Sequence, residues 1–221
     1  MSSDDDGGEA VEGGEPLHSI WECTQGLLVS HLNVRSLASK FDQIKFLLGS
    51  QTRTNMVFGI SETWLDEGVT NGELEIAGFR SYRRDRDGRG GGVIVYVSDD
   101  VKGMRRHDLE NDEIEAVWIQ VKMRRRHVLI GNVYRPPGTR DTWMESLVVM
   151  LEKVVQEQMT VVMMGDFNCN MLNPDSHTSK LGMVMSEYGM EQMIHGPTRV
   201  TQTSKTLIDL LFCTNSDEIV Y

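Results

Sequence analysis

Short apolar runs, each closed by a polar side chain, restrict the fold of this chain more than any other feature. They are of strand length and recur from residue 27 to residue 213. LLVSHL (27–32) is followed by Asn33, and MVFGIS (56–61) by Glu62. HVLIGNVY (127–134) ends on Tyr134, and MTVVMMG (159–165) leads into Asp166 and Asn168. Further runs are VIVYV (93–97), EAVWIQVK (115–122) and TLIDLLFC (206–213), and ELEIAGFRSYRR reads as two short strands around Gly78. Apolar runs of about four to eight residues between turn signals read as buried strands. Arg124, Arg125 and Arg126 form the short charged link of a hairpin over 115–134. Pro136 and Pro137 prevent the next segment from continuing as strand.

Three segments carry helical periodicity instead. One is capped by Ser36 and runs through Phe41, Ile44, Phe46, Leu47 and Leu48. A second, 142–157, is capped by Asp141 and puts Trp143, Leu147, Met150, Leu151 and Val154 on one face. A third covers 178–188. Many strands with three helices predict an α+β or layered α/β fold.

The 221 residues suit one domain, expected over 27–221. Residues 1–26 read as an acidic tail and lead-in: 1–16 are expected to be disordered, too poor in large apolar side chains to offset the entropy of ordering, and 17–26 lead into the domain. No apolar run approaches the roughly 20 residues that span a bilayer. The acidic start is wrong for a secretory or transit signal, so an intracellular protein is expected, in nucleus or cytoplasm. Cys23, Cys169 and Cys213 are scattered, with no C-x-x-C pair, which argues against a zinc framework or a disulfide scaffold. The net charge is −11, which looks wrong for a nucleic-acid binder. Seven of the acids precede Arg35, where no Lys or Arg occurs, so residues 35–221 carry only −4 of that −11. Charge therefore neither supports nor excludes a nucleic-acid partner.

A polar residue after a strand is, taken singly, the start of a loop. Asp209 is different, because it stands inside the apolar run TLIDLLF. A buried charge is costly unless paired or metal-bound. Together Asn33, Glu62, Tyr134, Asp166, Asn168 and Asp209 supply oxygen ligands of the kind a hard cation such as magnesium prefers.

The order and wording of LNVRSL (32–37), SETWL (61–65), GFRSYRRDRDGRGGGVIVYV (78–97), VYRPPG (133–138), GDFN (165–168), PTRVT (197–201) and TLIDLLF (206–212) resemble the endonuclease/exonuclease/phosphatase superfamily, most closely the endonuclease domain of LINE-type (non-LTR) retrotransposons. The resemblance implies a DNase I-like four-layer α/β sandwich with two packed mixed β-sheets. It implies an enzyme that hydrolyses a DNA phosphodiester with magnesium or manganese, as a monomer, without a small-molecule cofactor or a membrane. Glu62 would be the main metal ligand, with Asn33 helping to place the metal or its water. Asp166 would orient or deprotonate the attacking water, and Asn168 would contact the phosphate. Tyr134 would stabilise charge at the phosphate, with Asp209 and Thr201 in support. Arg83, Arg84, Arg86 and Arg89, with Arg80, read either as DNA contacts or as a solvated loop. Gly90, Gly91 and Gly92 lack the Lys-Ser/Thr ending of a Walker loop and read as a turn.

The family closes with a Ser-Asp-His segment on a further strand. This sequence ends at Tyr221, nine residues after Phe212, and Ser216-Asp217-Glu218 offers no imidazole. The expectation is a domain incomplete at its C-terminus, lacking the last strand, with reduced stability and strongly reduced activity. His177 is the one histidine to weigh as a substitute, and His31 reads as structural. The alternatives are an inactive retroelement remnant that at most binds nucleic acid, and a host phosphoesterase of the same superfamily.

Overall fold

The computed structural model describes residues 26–50, 55–123, 126–139 and 141–215. The expected tail and Cys23, up to residue 25, lie outside the described residues, as do Arg124, Arg125 and 216–221.

Two sheets form the centre. β1 (Leu28–Asn33) runs parallel to β2 (Met56–Ser61), and α1 (Phe41–Gly49) lies in the connection between them. β3 (Phe79–Arg84) and β4 (Val93–Ser98) complete a four-stranded sheet in the order β1-β2-β4-β3. The second sheet is built from β5 (Lys102–Arg105), β6 (Glu115–Lys122), β7 (His127–Tyr134), β8 (Thr160–Asp166), β9 (Glu191–Gln192) and β12 (Asp209–Cys213). Its order is β5-β6-β7-β8-β12-β9. β7 and β8 are parallel, which requires a crossover, and α2 (Thr142–Gln156) supplies it. α3 (Ser176–Glu187) follows β8. β10 (Arg199–Val200) and β11 (Lys205–Thr206) form a separate two-stranded ribbon.

The central strands β2, β4, β6, β7 and β8 are largely apolar because both their faces are covered. Along β4, Val93, Val95 and Val97 enter a core shared with Val117, Ile119 and Val121 of β6, between the sheets. Ile94 and Tyr96 face the other way, into a core with Ile44 and Leu48 of α1. Along β6, Trp118 likewise leaves the inter-sheet core and packs with Leu147 and Leu151 of α2 and Leu181 of α3. Side chains alternate along a strand, so one run feeds two cores. Three cores separate four layers, helix, sheet, sheet and helices. This is the packed pair of mixed sheets that the resemblance implied.

Several local expectations need correction. Ser36 does not cap a helix: its φ is 79°, a short 3₁₀ turn runs Ala38–Lys40, and α1 begins only at Phe41. Asp141 precedes α2 without a side-chain cap, and its carbonyl oxygen accepts from Met144 N at 2.9 Å. α3 starts at Ser176, earlier than expected, because Asp175 caps it by accepting from Thr178 N at 2.7 Å. Only one strand, β3, lies near Gly78; Gly72–Leu74 is a 3₁₀ turn that drops Leu74 into the core. The final apolar run enters the sheet only at Asp209, since Lys205–Thr206 pairs with Arg199–Val200 instead. β5 has no counterpart among the expected strands: KGMR lacks an apolar pattern, and it is recruited by pairing with β6.

Candidate active site

Strand ends bring the polar residues together. Asn33 is opposite Ser61 in register, so Asn33 and Glu62 leave one sheet side by side. On the other sheet, Tyr134 is opposite Asp166, and Asp166 is opposite Asp209. These three lie at one level across adjacent strands. Both groups face a cleft of about 1130 Å³, which is also lined by Asn168. That exceeds the roughly 300–1,000 Å³ of small-ligand pockets.

Glu62 sits at a positive φ of 57°, and its carboxylate is gripped by three donors. Tyr134 donates its hydroxyl to Oε1. Oε2 accepts from the Trp64 indole N–H and from Gly91 N, the latter at 3.2 Å. Burial, then the hydrogen bond to Glu62, pushes the Tyr134 phenol well above its usual range, so it remains a proton donor.

Asp166 is 2% exposed. Its Oδ2 accepts from Asn33 Nδ2 at 2.5 Å, and its Oδ1 from Asn168 N at 2.9 Å. Burial is the largest influence and raises its pKa to about 6. The Asn168 amide and Asn33 oppose that rise, while Asp209 and Glu62 add to it by repulsion. The preceding Gly165 is obligatory. At its φ of +154°, a Cβ would lie 1.8 Å from the Val133 carbonyl oxygen. Asn168 takes the left-handed φ of 48° that Asn tolerates, and its Nδ2 donates to Arg135 O at 2.8 Å.

Asp209 is pushed up by burial. His31 Nδ1 lies 3.5 Å from its Oδ1, but burial lowers the His31 pKa to about 3, so the contact is not an ion pair. His31 Nε2 instead meets Ser61 Oγ at 3.1 Å.

Some expected residues fall elsewhere. Thr201 is exposed in the turn of the β10–β11 ribbon, where its hydroxyl bonds to Ser204. Thr198 is the threonine that reaches the site, with Oγ1 accepting from Asp209 N at 3.2 Å. Arg84 does not reach the cleft, because its guanidinium holds Asn111, Asp112 and Ile114 by their carbonyl oxygens. Arg83 donates to Val69 O and lies 3.4 Å from Asp85, and Arg80 donates to Val101 O. Arg86 and Arg89 do line the cleft. His177 is half-exposed beside Asp141 at 3.7 Å and does not line it. Sequence reasoning misses Trp64, Arg35, Lys40 and Arg199, which line the cleft as well. His31 reads as structural in the sequence, yet it stands two residues before Asn33 on the same strand face, a spacing that signals its position.

The donor set fits a hydrated divalent cation. Glu62, Asn33 and Asp166 present oxygen, the preference of magnesium. Three carboxylates close enough for two of them to raise the pKa of Asp166 leave negative charge that a cation would relieve. Among the described residues no three His, Cys, Asp or Glu side chains converge as a metal cage. Magnesium characteristically binds through one or two carboxylates and keeps several waters.

A profile of the Endonuclease/Exonuclease/phosphatase family matches residues 26–220. No curated protein matches the chain. Among solved structures, the endonuclease domain of TRAS1, a telomere-specific non-LTR retrotransposon, aligns with a TM-score of 0.64 at 17% identity, over 86% of each chain. An AP endonuclease from Archaeoglobus fulgidus aligns at 0.61 with 17% identity, over 86% of this chain and 87% of that one. A mannosyl-6-phosphatase from Bacteroides thetaiotaomicron aligns at 0.58 with 13% identity, over 86% of each. At such identities these likenesses speak for the fold alone. The profile spans nearly the whole chain, and the chain belongs to the endonuclease/exonuclease/phosphatase family.

Proposed function

We propose that this chain is a divalent-metal-dependent DNA-nicking phosphodiesterase of the LINE-type retrotransposon kind. The observation that carries the reading is Asp166: a buried carboxylate whose pKa is raised to about 6, hydrogen-bonded by Asn33 and Asn168 in an open cleft that four arginines line. A general base works best when its pKa lies near the operating pH. Asp166 takes the proton from an attacking water, and Asn33 and Asn168 orient the carboxylate and the water without adding negative charge. Glu62 and Asn33 would hold the cation, which would supply charge neutralisation for the phosphate and the leaving oxygen. Tyr134 is committed to Glu62 and fixes that carboxylate. Arg35, Arg89 and Arg199 line the cleft and meet the flanking phosphates of a polyanion. The endonuclease domain of the TRAS1 retrotransposon is similar in fold, and the LINE-like wording of the motifs supports that branch. Action as a monomer inside the cell accompanies this reading.

A second reading is a phosphomonoesterase for a small substrate, favoured by the fold shared with a mannosyl-6-phosphatase. The four arginines that line the cleft weigh against it, since a sugar phosphate offers a single phosphate to meet them. Nicking of supercoiled plasmid with magnesium tests the proposal, on this chain and on a version extended beyond Tyr221 by a Ser-Asp-His strand. Nicking that is lost in Glu62→Gln supports it. Silence of both versions on plasmid, with turnover of a sugar phosphate, would overturn it in favour of the second reading. Metal and DNA binding without turnover of either would leave the binding-module reading.

A further inference from the structure

The glycine run over the cleft has an unassigned carboxylate beneath it. Glu115 begins β6, opposite Tyr134 in register. Its Oε1 accepts from Arg86 Nη1 at 2.9 Å, and its Oε2 accepts from Gly92 N at 2.6 Å. The amide before it, Gly91 N, donates to Glu62 Oε2 at 3.2 Å. Successive amides of one loop thus tie two carboxylates, one from each sheet. The guanidinium lies close against this loop. A Cβ on Gly90 would come within 2.7 Å of Arg86 Nη2, and one on Gly91 within 2.7 Å of Arg86 Cζ and 2.5 Å of Glu115 Oε2. Gly91 and Gly92 also have φ of 66° and 80°. The glycines allow the close approach that side chains would block.

Arg86 lines the cleft in company with Glu62, Trp64 and Tyr134. Its hydrogen bonding among the described residues uses only Nη1, and its Nε stands 3.8 Å from the exposed Asp87, so Nη2 of the donor fork has no hydrogen-bond partner there. Such a fork pairs strongly with any carboxylate or phosphate within reach. Left unrestrained, it would pair with Glu62 and cover the oxygens that a divalent cation needs. We propose that Glu115 is a positioning residue that holds Arg86 off Glu62 and presents it to a substrate phosphate. The proposal rests on the reading of Glu62 as the cation ligand.

The test is Mn²⁺ binding, read by electron paramagnetic resonance of the free ion, on the wild type, Glu62→Gln, Glu115→Gln, Arg86→Gln and the Glu115→Gln/Arg86→Gln pair. Glu115→Gln keeps an oxygen for Gly92 N and loses only the charge that restrains Arg86. It weakens Mn²⁺ affinity about tenfold, the lower end for residues that orient metal ligands. Removing Arg86 as well restores affinity to that of Arg86→Gln alone, which also shows that the double variant is folded. Wild-type affinity in Glu115→Gln, with loss in Glu62→Gln, overturns the proposal and leaves the reading of Glu62 intact. Loss in Glu115→Gln that Arg86→Gln does not reverse overturns it too, since the defect is then general. If Glu62→Gln binds as the wild type does, the reading of Glu62 fails and the proposal fails with it.

Discussion

The floor and the rim of the cleft carry opposite charge and are held in opposite ways. On the floor, Asp166 is almost wholly buried and takes one donor on each oxygen, and Glu62 takes three donors. On the rim, Arg35, Arg89 and Arg199 are exposed. The floor is ordered before anything binds, at an electrostatic cost shown by the raised pKa of Asp166. The rim acts through solvent, over distances that salt can screen. The contrast teaches that floor residues set the chemistry and lower stability, whereas rim residues set attraction and leave stability alone.

The largest effect expected from this contrast is on turnover. Asp166→Asn in a version that nicks plasmid lowers the rate by roughly 10²–10⁴, the contribution of a positioned general base. A loss below tenfold would move the base elsewhere. The same substitution sharpens the contrast in stability. The folded pKa of about 6 lies above the ordinary carboxylate value of about 3.9, so ionised Asp166 destabilises the fold above pH 6. Below about pH 4 the group is protonated in both states and the cost vanishes. At about 1.4 kcal/mol per pKa unit, Asp166→Asn should gain up to ~3 kcal/mol at pH 8 and almost nothing at pH 3.5. Urea unfolding across pH checks it, and a gain independent of pH would rule out the titration of Asp166 as its cause.

Rim substitutions come next. Arg89→Ala and Arg199→Ala should each lower the salt slope of duplex binding by about one, with unchanged urea midpoints. Fluorescence anisotropy with calcium in place of magnesium reads this, and a shifted midpoint would show the rim to be structural. The smallest effect separates two threonines. Thr198→Ala removes an acceptor for two backbone amides at β12 and should cost about 1 kcal/mol. Thr201→Ala, in the exposed turn, should stay within about 0.5 kcal/mol. Equal costs would put both in the same structural class.

How far the sequence can be read depends on burial. β2, β6 and β7 begin and end where the apolar runs do, because these strands are covered on both faces. β5 is invisible in the sequence, because partnership with β6 makes it a strand and its own residues do not. Helix starts mislead for a related reason. Ser36 and Asp141 have the right chemistry for caps, but neither side chain caps a helix. In the site, the strand-end pattern and the family resemblance single out Asn33, Glu62, Tyr134, Asp166, Asn168 and Asp209, and all six line one cleft. The arginines cannot be sorted from their spacing. Arg84 and Arg86 are separated by a single residue, yet one guanidinium ties a loop and the other lies in the cleft.

The strands buried on both faces, β2, β6 and β7, and the polar groups at strand ends can be read from the amino-acid order alone. Period and local apolarity suffice for that, since both are properties of consecutive residues. Only the tertiary structure decided that Asp166 meets Asn33, that Glu62 is gripped by Tyr134 and Gly91, and that Glu115 restrains Arg86. Those pairings join residues between 29 and 133 positions apart. Their geometry comes from strand register and from two sheets packing face to face, which no local pattern encodes.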